Sequence, residues 1–320
     1  MAALALLLAA AAGRVVAQTP DPGLPDLAAR FAAMTAVTGY EQRMIDSLIA
    51  LVPGAERDRA GNAVVVLGAG SRRRLVACPV SEPGYIVGGV RPDGWMTLRR
   101  APGRVSPAAE RQIEGQRVTV LGRRGEVPGV IGVRSIHLTR GRGAVGQGVF
   151  TVDSAYLDIG AASSAEVSRA GVGVLSPLAP AKRPHRYGAD LIAAPMAARR
   201  TACAALVVAA QKAVAGRMAP SGESVVIAFV VEQELGGRGI GTLANARGPF
   251  EETLVVDGAP GAPGALARRP DSLAVRWPGL GSVTRWSLGA RYAGTFVETT
   301  SLGGADSLRR ALTAWLGRRP

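Results

Sequence analysis

The sequence predicts an α/β fold built on a mixed β-sheet, with a small β-rich domain inserted into it. The run Ser224–Val231 is apolar and β-branched, which is typical of a strand buried on both faces. Ala197–Ala215 is rich in alanine and apolar nearly all round, which indicates a buried helix. Residues 89–180 differ from both, because short strands alternate there with glycine and proline. We therefore predict one α/β domain over 18–88 and 181–320, with residues 89–180 as the insertion.

The first residues have the features of an export signal. Ala2–Ala12 is apolar and uncharged, but it is shorter than the roughly 20 residues that span a bilayer. Val15-Val16-Ala17 is a small-residue cleavage pattern ending before Gln18. An alanine-rich helix or a misassigned start codon is the alternative. We expect residues 1–17 to be a signal peptide, the mature chain to be periplasmic or secreted, and no transmembrane segment.

The remaining elements follow from hydrophobic spacing and turn residues. Asp26 and Ser164 are each predicted to cap a helix. The predicted helices are Asp26–Val37, Glu41–Leu51, Ser164–Ala170, Thr242–Ala246 and Asp306–Leu316. The predicted strands are Ala63–Leu67, Arg74–Val80, Tyr85–Val90, Trp95–Leu98, Arg117–Leu121, Gly129–His137, Val149–Leu157, Thr253–Val256, Arg285–Leu288 and Phe296–Val297.

Composition excludes several functions. Of the 320 residues 48% are hydrophobic, which is ample for a core and excludes a disordered chain. The net charge of +14 comes from arginines scattered in ones and twos, without interleaved aromatics, so nucleic-acid binding is not expected. Two histidines exclude a three-histidine metal site. In an oxidising compartment Cys78 and Cys203 either form a disulfide or remain two buried thiols.

One literal motif match and one conceivable catalytic triad carry little weight. Gly141–Gly146 has the spacing of a dinucleotide fingerprint, but a strand rather than a helix is predicted to follow it. A Ser-His-Asp triad would need His137 or His185, and we expect both at the surface or at a domain boundary.

Several segments together resemble one family, the dinuclear-metal aminopeptidases of the glutamyl, or tetrahedral, type. The resemblance covers nearly the whole mature chain. The segments that carry it are 38–41 (Thr-Gly-Tyr-Glu), 58–62 (Asp-Arg-Ala-Gly-Asn), 115–118, 127–132, 156–161, 234–239 (Glu-Leu-Gly-Gly-Arg-Gly), 291–292 and 297–299. The resemblance implies an α/β sandwich with its metal site at the carboxyl edge of a mixed sheet, and a β insertion that helps to form dimers and larger cages.

The resemblance also implies a chemistry. In that family two divalent ions, such as zinc or cobalt, polarise the scissile carbonyl and activate a bridging water, and a glutamate takes up the proton. Five side chains hold the ions: a His, a bridging Asp, a Glu, an Asp and a final His.

This sequence departs from that pattern at most of the site. The first His falls on Pro79 and its orienting Asp on Ser81, while the bridging Asp falls on Ala198. The general-base position is Gln233, and the final His falls on Gly294. None of the three replaced ligands has a side chain that binds a metal, and an amide takes up no proton at neutral pH. We therefore expect no cofactor.

Two ligands of the family pattern remain, Glu234 and Asp257. They could hold a single ion with waters, but we favour ion pairs with Arg199 or Arg200 in the same pocket. A register shift would make Glu232 the base, but the following glycines argue against it. The stretch between Asp257 and the segment at 291 is shorter than in the family, which also puts the substrate cleft in question.

Three functions follow. The favoured one is an exported, non-catalytic pseudopeptidase that binds peptides, or that assembles with itself or with an active relative. The alternative is an active hydrolase with a remodelled metal site, which alone would need zinc or cobalt. The third is a purely structural protein. The side chains available to a remodelled site are Cys78, Glu82, Glu232, Glu234, Asp257 and Glu298.

Overall fold

A computed structural model describes residues 23–103, 105–133, 150–216, 218 and 222–318. The predicted signal peptide, His137 and the glycines at 141–146 lie outside these residues. Within them, no helix has the length and hydrophobicity needed to cross a membrane.

The described chain contains helices and three groups of strands. The helices are α1 (Leu24–Ala33), α2 (Gln42–Leu51), α3 (Pro107–Gln112), α4 (Ser164–Arg169), α5 (Ala197–Ala215), α6 (Arg238–Arg247), α7 (Leu273–Arg276) and α8 (Leu302–Leu316). The strands are β1 (Glu56–Arg57), β2 (Ala63–Leu67), β3 (Arg72–Pro79), β4 (Tyr85–Val90), β5 (Met96–Arg100), β6 (Arg117–Gly122), β7 (Gly125–Gly132), β8 (Tyr156–Asp158), β9 (Pro177–Pro180), β10 (His185–Tyr187), β11 (Leu191–Ala193), β12 (Glu223–Val230), β13 (Glu252–Pro260), β14 (Leu266–Pro270), β15 (Ser282–Ala290) and β16 (Thr299–Ser301).

A mixed sheet of seven strands forms the centre of the α/β domain. Its order is β1-β2-β12-β3-β13-β15-β14. The four inner strands β12, β3, β13 and β15 are parallel. Strands β2 and β14 flank them and are antiparallel to them, and the edge strand β1 pairs antiparallel with β2. The helices α1, α2, α5 and α8 pack on one face, whereas α6 packs on the other. This arrangement confirms the predicted mixed α/β sandwich.

The insertion is a closed barrel of six strands in the order β4-β5-β8-β7-β6-β9. The pairing of β4 with β9 closes it. Its interior is a separate apolar cluster that includes Tyr85, Met96 and Leu157. Because β4 and β9 are its first and last strands, the barrel joins the sandwich through adjacent chain segments.

Several predicted boundaries were wrong. Helix α1 begins at Leu24 after Gly23, so Asp26 is not its cap; proline at position 25 is tolerated in a first turn, where its missing N–H is not needed. Ser163 rather than Ser164 caps α4, because its Oγ accepts from the Glu166 N–H.

Three predicted strands also differ. The predicted strand Val149–Leu157 contains a short 3-10 turn before β8. The predicted strand Gly129–His137 corresponds to β7, which ends at Gly132, and residues 134–149 lie outside the described part of the chain. Phe296–Val297 lies in a loop, and the strand that follows is β16, which pairs with β11.

Candidate functional site

The candidate site lies where the inner parallel strands end. Strand β3 ends at Pro79, β12 is followed by a short 3-10 turn at Gln233–Leu235, and β13 contributes Asp257 near its carboxyl end. Carboxyl ends of parallel strands share one edge of the sheet, which is where α/β proteins place ligands. The first turn of α5 brings Arg199 to the same edge.

Arg199 lies between the two retained carboxylates. Its Nε donates to Asp257 Oδ1 at 2.7 Å, and its Nη1 donates to Glu234 Oε1 at 3.0 Å. The same Nη1 donates to the carbonyl oxygen of Ser81 at 2.7 Å, and Nη2 lies 3.3 Å from Asp257 Oδ2. These contacts confirm the predicted ion pairs of Arg199, which join three segments of the sheet edge.

Both charges of the Arg199–Asp257 pair are largely buried, since their side chains are 12% and 6% exposed. Burial alone would lower the pKa of Arg199, but the carboxylates of Asp257 and Glu234 raise it above its usual value. The guanidinium therefore keeps its charge. Asp257 has a second cation, because Arg285 Nη1 lies 2.7 Å from its Oδ2. Sequence reasoning missed Arg285, although a charged residue within the apolar strand β15 was a signal.

Pro79 and Ser81 contribute to the structure of the sheet edge and supply no metal ligand. Pro79 is buried and pairs in register with Val230 of β12. The Ser81 hydroxyl donates to Glu41 Oε1 at 2.7 Å and accepts from the Gln233 N–H at 3.0 Å. Gln233 is thereby fixed beside Glu234, and its amide side chain offers no base.

Glu298 connects two of the replaced positions. Its Oε1 accepts from the Ala198 N–H at 3.0 Å, and its Oε2 accepts from the Gly294 N–H at 2.9 Å. Ala198 is in the first turn of α5, where N–H groups lack partners within the helix. Burial raises the pKa of the Glu298 carboxyl, although both N–H groups oppose the shift. Glu298 thus holds the loop at 291–298 against the start of α5.

A second group of buried charges lies beneath the site. Lys182 Nζ donates to Glu82 Oε2 and to the Met34 carbonyl, and Arg200 Nη2 lies 3.4 Å from the same Glu82 oxygen. Burial alone would raise the pKa of Glu82, but Lys182 and Arg200 lower it. Burial lowers the pKa of Lys182 to about 8. Of the predicted alternatives for Arg200, pairing with Glu234 or Asp257 is wrong; it pairs with Glu82.

A cavity of about 190 Å³ adjoins Glu234, between the sandwich and the barrel. Its walls are mainly apolar and come from both domains and from the loop at 291–298. The loop is fixed to the barrel by two hydrogen bonds, from Ser106 Oγ to the Gly294 carbonyl and from the Phe296 N–H to Gln112 Oε1. The lining side chains that give it apolar character are Tyr85, Val105, Ala109, Pro180, Met196 and Phe296.

Cys78 and Cys203 form a disulfide, with their Cα atoms 5.6 Å apart. Cys78 precedes Pro79, and Cys203 lies one helical turn after Arg199. The bond therefore links the end of β3 to α5 directly behind the Arg199 contacts. It also removes Cys78 as a candidate nucleophile.

Two further candidate residues contact other groups. Glu232 Oε2 lies 3.3 Å from Nε of Arg238, whose side chain is 66% exposed. His185 is exposed on β10 and stacks on Tyr187, with 5.7 Å between ring centres. Within the described part of the chain, no group of three or more His, Cys, Asp and Glu side chains is arranged to hold a metal ion.

Comparison with known proteins agrees with this architecture. The family model of the M42 glutamyl aminopeptidases matches residues 61–269. The putative aminopeptidase SgcX of Escherichia coli K12 is 27% identical over 179 residues, which is 54% of this chain and 46% of that protein. The chain therefore spans about half the length of this curated relative.

Solved structures share the fold. The TET1 peptidase of Pyrococcus horikoshii, which can assemble into a tetrahedron or a large octahedral shell, is 20% identical with a TM-score of 0.80 over 92% of this chain and 99% of that one. The TET aminopeptidase of a marine sediment Thaumarchaeota archaeon is 17% identical with a TM-score of 0.77, over 92% and 97% of the two chains. With the family match, these observations show that the chain belongs to the M42 glutamyl aminopeptidase family.

Proposed function

We propose that the protein is a non-catalytic member of this family that binds peptides or acts through assembly. The observation that carries the proposal is the guanidinium of Arg199, which lies within 3.0 Å of both Asp257 and Glu234. A dinuclear site needs about three to four donors for each ion. Here the two remaining carboxylates already have a cation, so the residues present do not fit two metal ions.

Three further positions support the proposal. By the family resemblance, Pro79, Ala198 and Gly294 stand where ligands would be, and none has a side-chain donor. Gln233 stands at the position of the base. We therefore derive no hydrolytic step through a metal for this chain.

The test combines metal content with turnover. We expect the purified mature protein, after loading with zinc or cobalt and dialysis, to hold no stoichiometric metal by elemental analysis. We also expect no turnover on a panel of aminoacyl substrates. Two tightly held ions per chain, or turnover abolished by Glu234→Ala, would refute the proposal and support an active hydrolase with a remodelled site.

The cavity beside Glu234 supports peptide binding. Its apolar walls can accept an apolar side chain, and Glu234 provides one carboxylate at its edge. We expect short peptides with an apolar first residue to bind, and Ala109→Leu, which narrows the cavity, to weaken binding about tenfold. The control Val174→Leu lies on an exposed surface away from the cavity. Equal peptide affinity of the two variants would show that the cavity is not the peptide-binding site.

We further propose export and self-assembly. The apolar run at 2–12 and the Cys78–Cys203 disulfide both favour an oxidising compartment. N-terminal sequencing of protein from the periplasm or the medium should begin near Gln18. The P. horikoshii peptidase can assemble into a tetrahedron or a large octahedral shell, so mass photometry of the pure protein should show a homo-oligomer. A monomer that assembles only with an active relative would favour hetero-assembly.

A further inference from the structure

A shallow groove lies on the face of the sheet that carries α6, away from the cavity and the Arg199 contacts. One part of it, about 620 Å³ in volume, lies between the turn at 57–60 and the end of α6. A second part, about 280 Å³, lies over β2 and β12. Both parts are lined by Ala246 and Arg247, so they adjoin and form one groove along the end of α6.

The rim of the groove has excess positive charge. Among the residues that the structure describes, Arg59 and Arg247 have no acidic partner. Arg73 uses Nη1 to donate to the carbonyls of Arg247 and Gly248 at 2.9 and 3.3 Å. The one acid in the lining, Asp58, is occupied by its own turn, since its oxygens accept from Ala60 and Asn62.

The floor of the groove is aliphatic. Val66 of β2 points to the same face as Val64, which is buried under α6. Because α6 ends at Arg247, it does not extend over Val66, which is 41% exposed. Val226 and Ala246 continue this apolar strip.

We propose that this groove binds an extended acidic segment of a partner protein. Arginine forks recognise carboxylates in pairs of hydrogen bonds, and an extended peptide places alternate side chains on opposite faces. Carboxylates would contact Arg59 and Arg247, while an aliphatic side chain contacts Val66. A single-stranded nucleic acid would need aromatic side chains for stacking, and the lining of the groove has none.

The binding test uses a fluorescent peptide of alternating glutamate and valine residues with the full mature chain. We expect saturable binding by fluorescence anisotropy that weakens as salt is raised. The double variant Arg59→Glu/Arg247→Glu should weaken binding at least about tenfold, and Val66→Ser should weaken it about threefold. The control Arg183→Glu/Arg269→Glu makes the same change in net charge at exposed arginines outside the groove and should bind like the unmodified protein.

Three results would overturn the proposal. The first is unchanged affinity of the groove double variant, and the second is an equal loss in the control, which would show a general charge effect. The third is displacement of the peptide by polyphosphate together with an unchanged affinity of Val66→Ser, because that pattern describes a phosphate site and not a peptide groove. None of these outcomes depends on metal content or turnover at the cavity.

Discussion

Replacing Arg199 with methionine tests the central role assigned to its guanidinium. Methionine keeps an unbranched apolar stem but has neither the charge nor the hydrogen-bond donors, so Asp257 and Glu234 lose a shared partner. Removing one partner of a buried ion pair costs about 3–5 kcal/mol, because the other charge is left uncompensated. Asp257 keeps Arg285 and the Gly258 N–H, and Glu234 is 22% exposed to water. We therefore expect Arg199→Met to lower the free energy of unfolding by an amount near the lower end of this range, about 3 kcal/mol.

The assay is urea unfolding at pH 7, followed by tryptophan fluorescence. Arg238→Met is the matched control, because Arg238 pairs with Glu232 at 3.3 Å but is 66% exposed. Such a surface pair contributes at most about 1 kcal/mol. Arg199→Lys keeps the charge without the planar guanidinium, so its free energy of unfolding should lie between those of Arg199→Met and Arg238→Met. An Arg199→Met variant as stable as the Arg238→Met control would refute the reasoning.

Three other predictions concern the same region. The disulfide closes a loop with a sequence separation of 125 residues, so Cys78→Ala/Cys203→Ala should lower the free energy of unfolding by about 2–5 kcal/mol; an unchanged urea midpoint would contradict this. Burial raises the pKa of Glu298 in the folded protein above its usual value of 4.5. The protonated carboxyl therefore stabilises the folded state fully below about pH 4.5, and this contribution is lost as the pH rises through the pKa that Glu298 has in the folded protein. Measured against Glu298→Gln, the unfolding free energy of the unmodified protein should therefore fall from pH 4.5 to 7, and a constant difference would count against the burial argument. A Cβ at Gly258 would lie 2.7 Å from the Cβ of Ala198, so Gly258→Ala should destabilise by about 1–3 kcal/mol, whereas Gly173→Ala, with open space around it, should be neutral by thermal melting.

Hydrophobic pattern alone predicted the central elements. Helix α5 and strand β2 have the predicted bounds, because buried elements have continuous apolar sequences. Strand β4 of the barrel also has the predicted bounds. The exposed strands β10 and β14 were missed. Strand β10 carries histidine, arginine and tyrosine, and β14 carries two adjacent arginines, all at the surface. Which strands they hydrogen-bond to is set by the neighbouring strands and not by their own hydrophobic pattern.

At the candidate site, too, some contacts could be predicted from the sequence and others could not. The Arg199 ion pairs were predicted because the family resemblance placed their three segments at one sheet edge. The contacts of Glu82 with Lys182 and Arg200 were not, since no local spacing links positions that are 100 and 118 residues apart in the numbering. Such pairs depend on how distant segments of the sandwich pack together, which periodicity does not encode.

The disulfide has a consequence for damaged chains. Cys78 precedes the first barrel strand and Cys203 follows the last, so the bond encloses the whole insertion. A protease that cuts any barrel loop produces two fragments that remain covalently joined. A nicked molecule should therefore migrate as one band without reductant and as two with it, and it should keep its sandwich and its Arg199 contacts together until the bond is reduced.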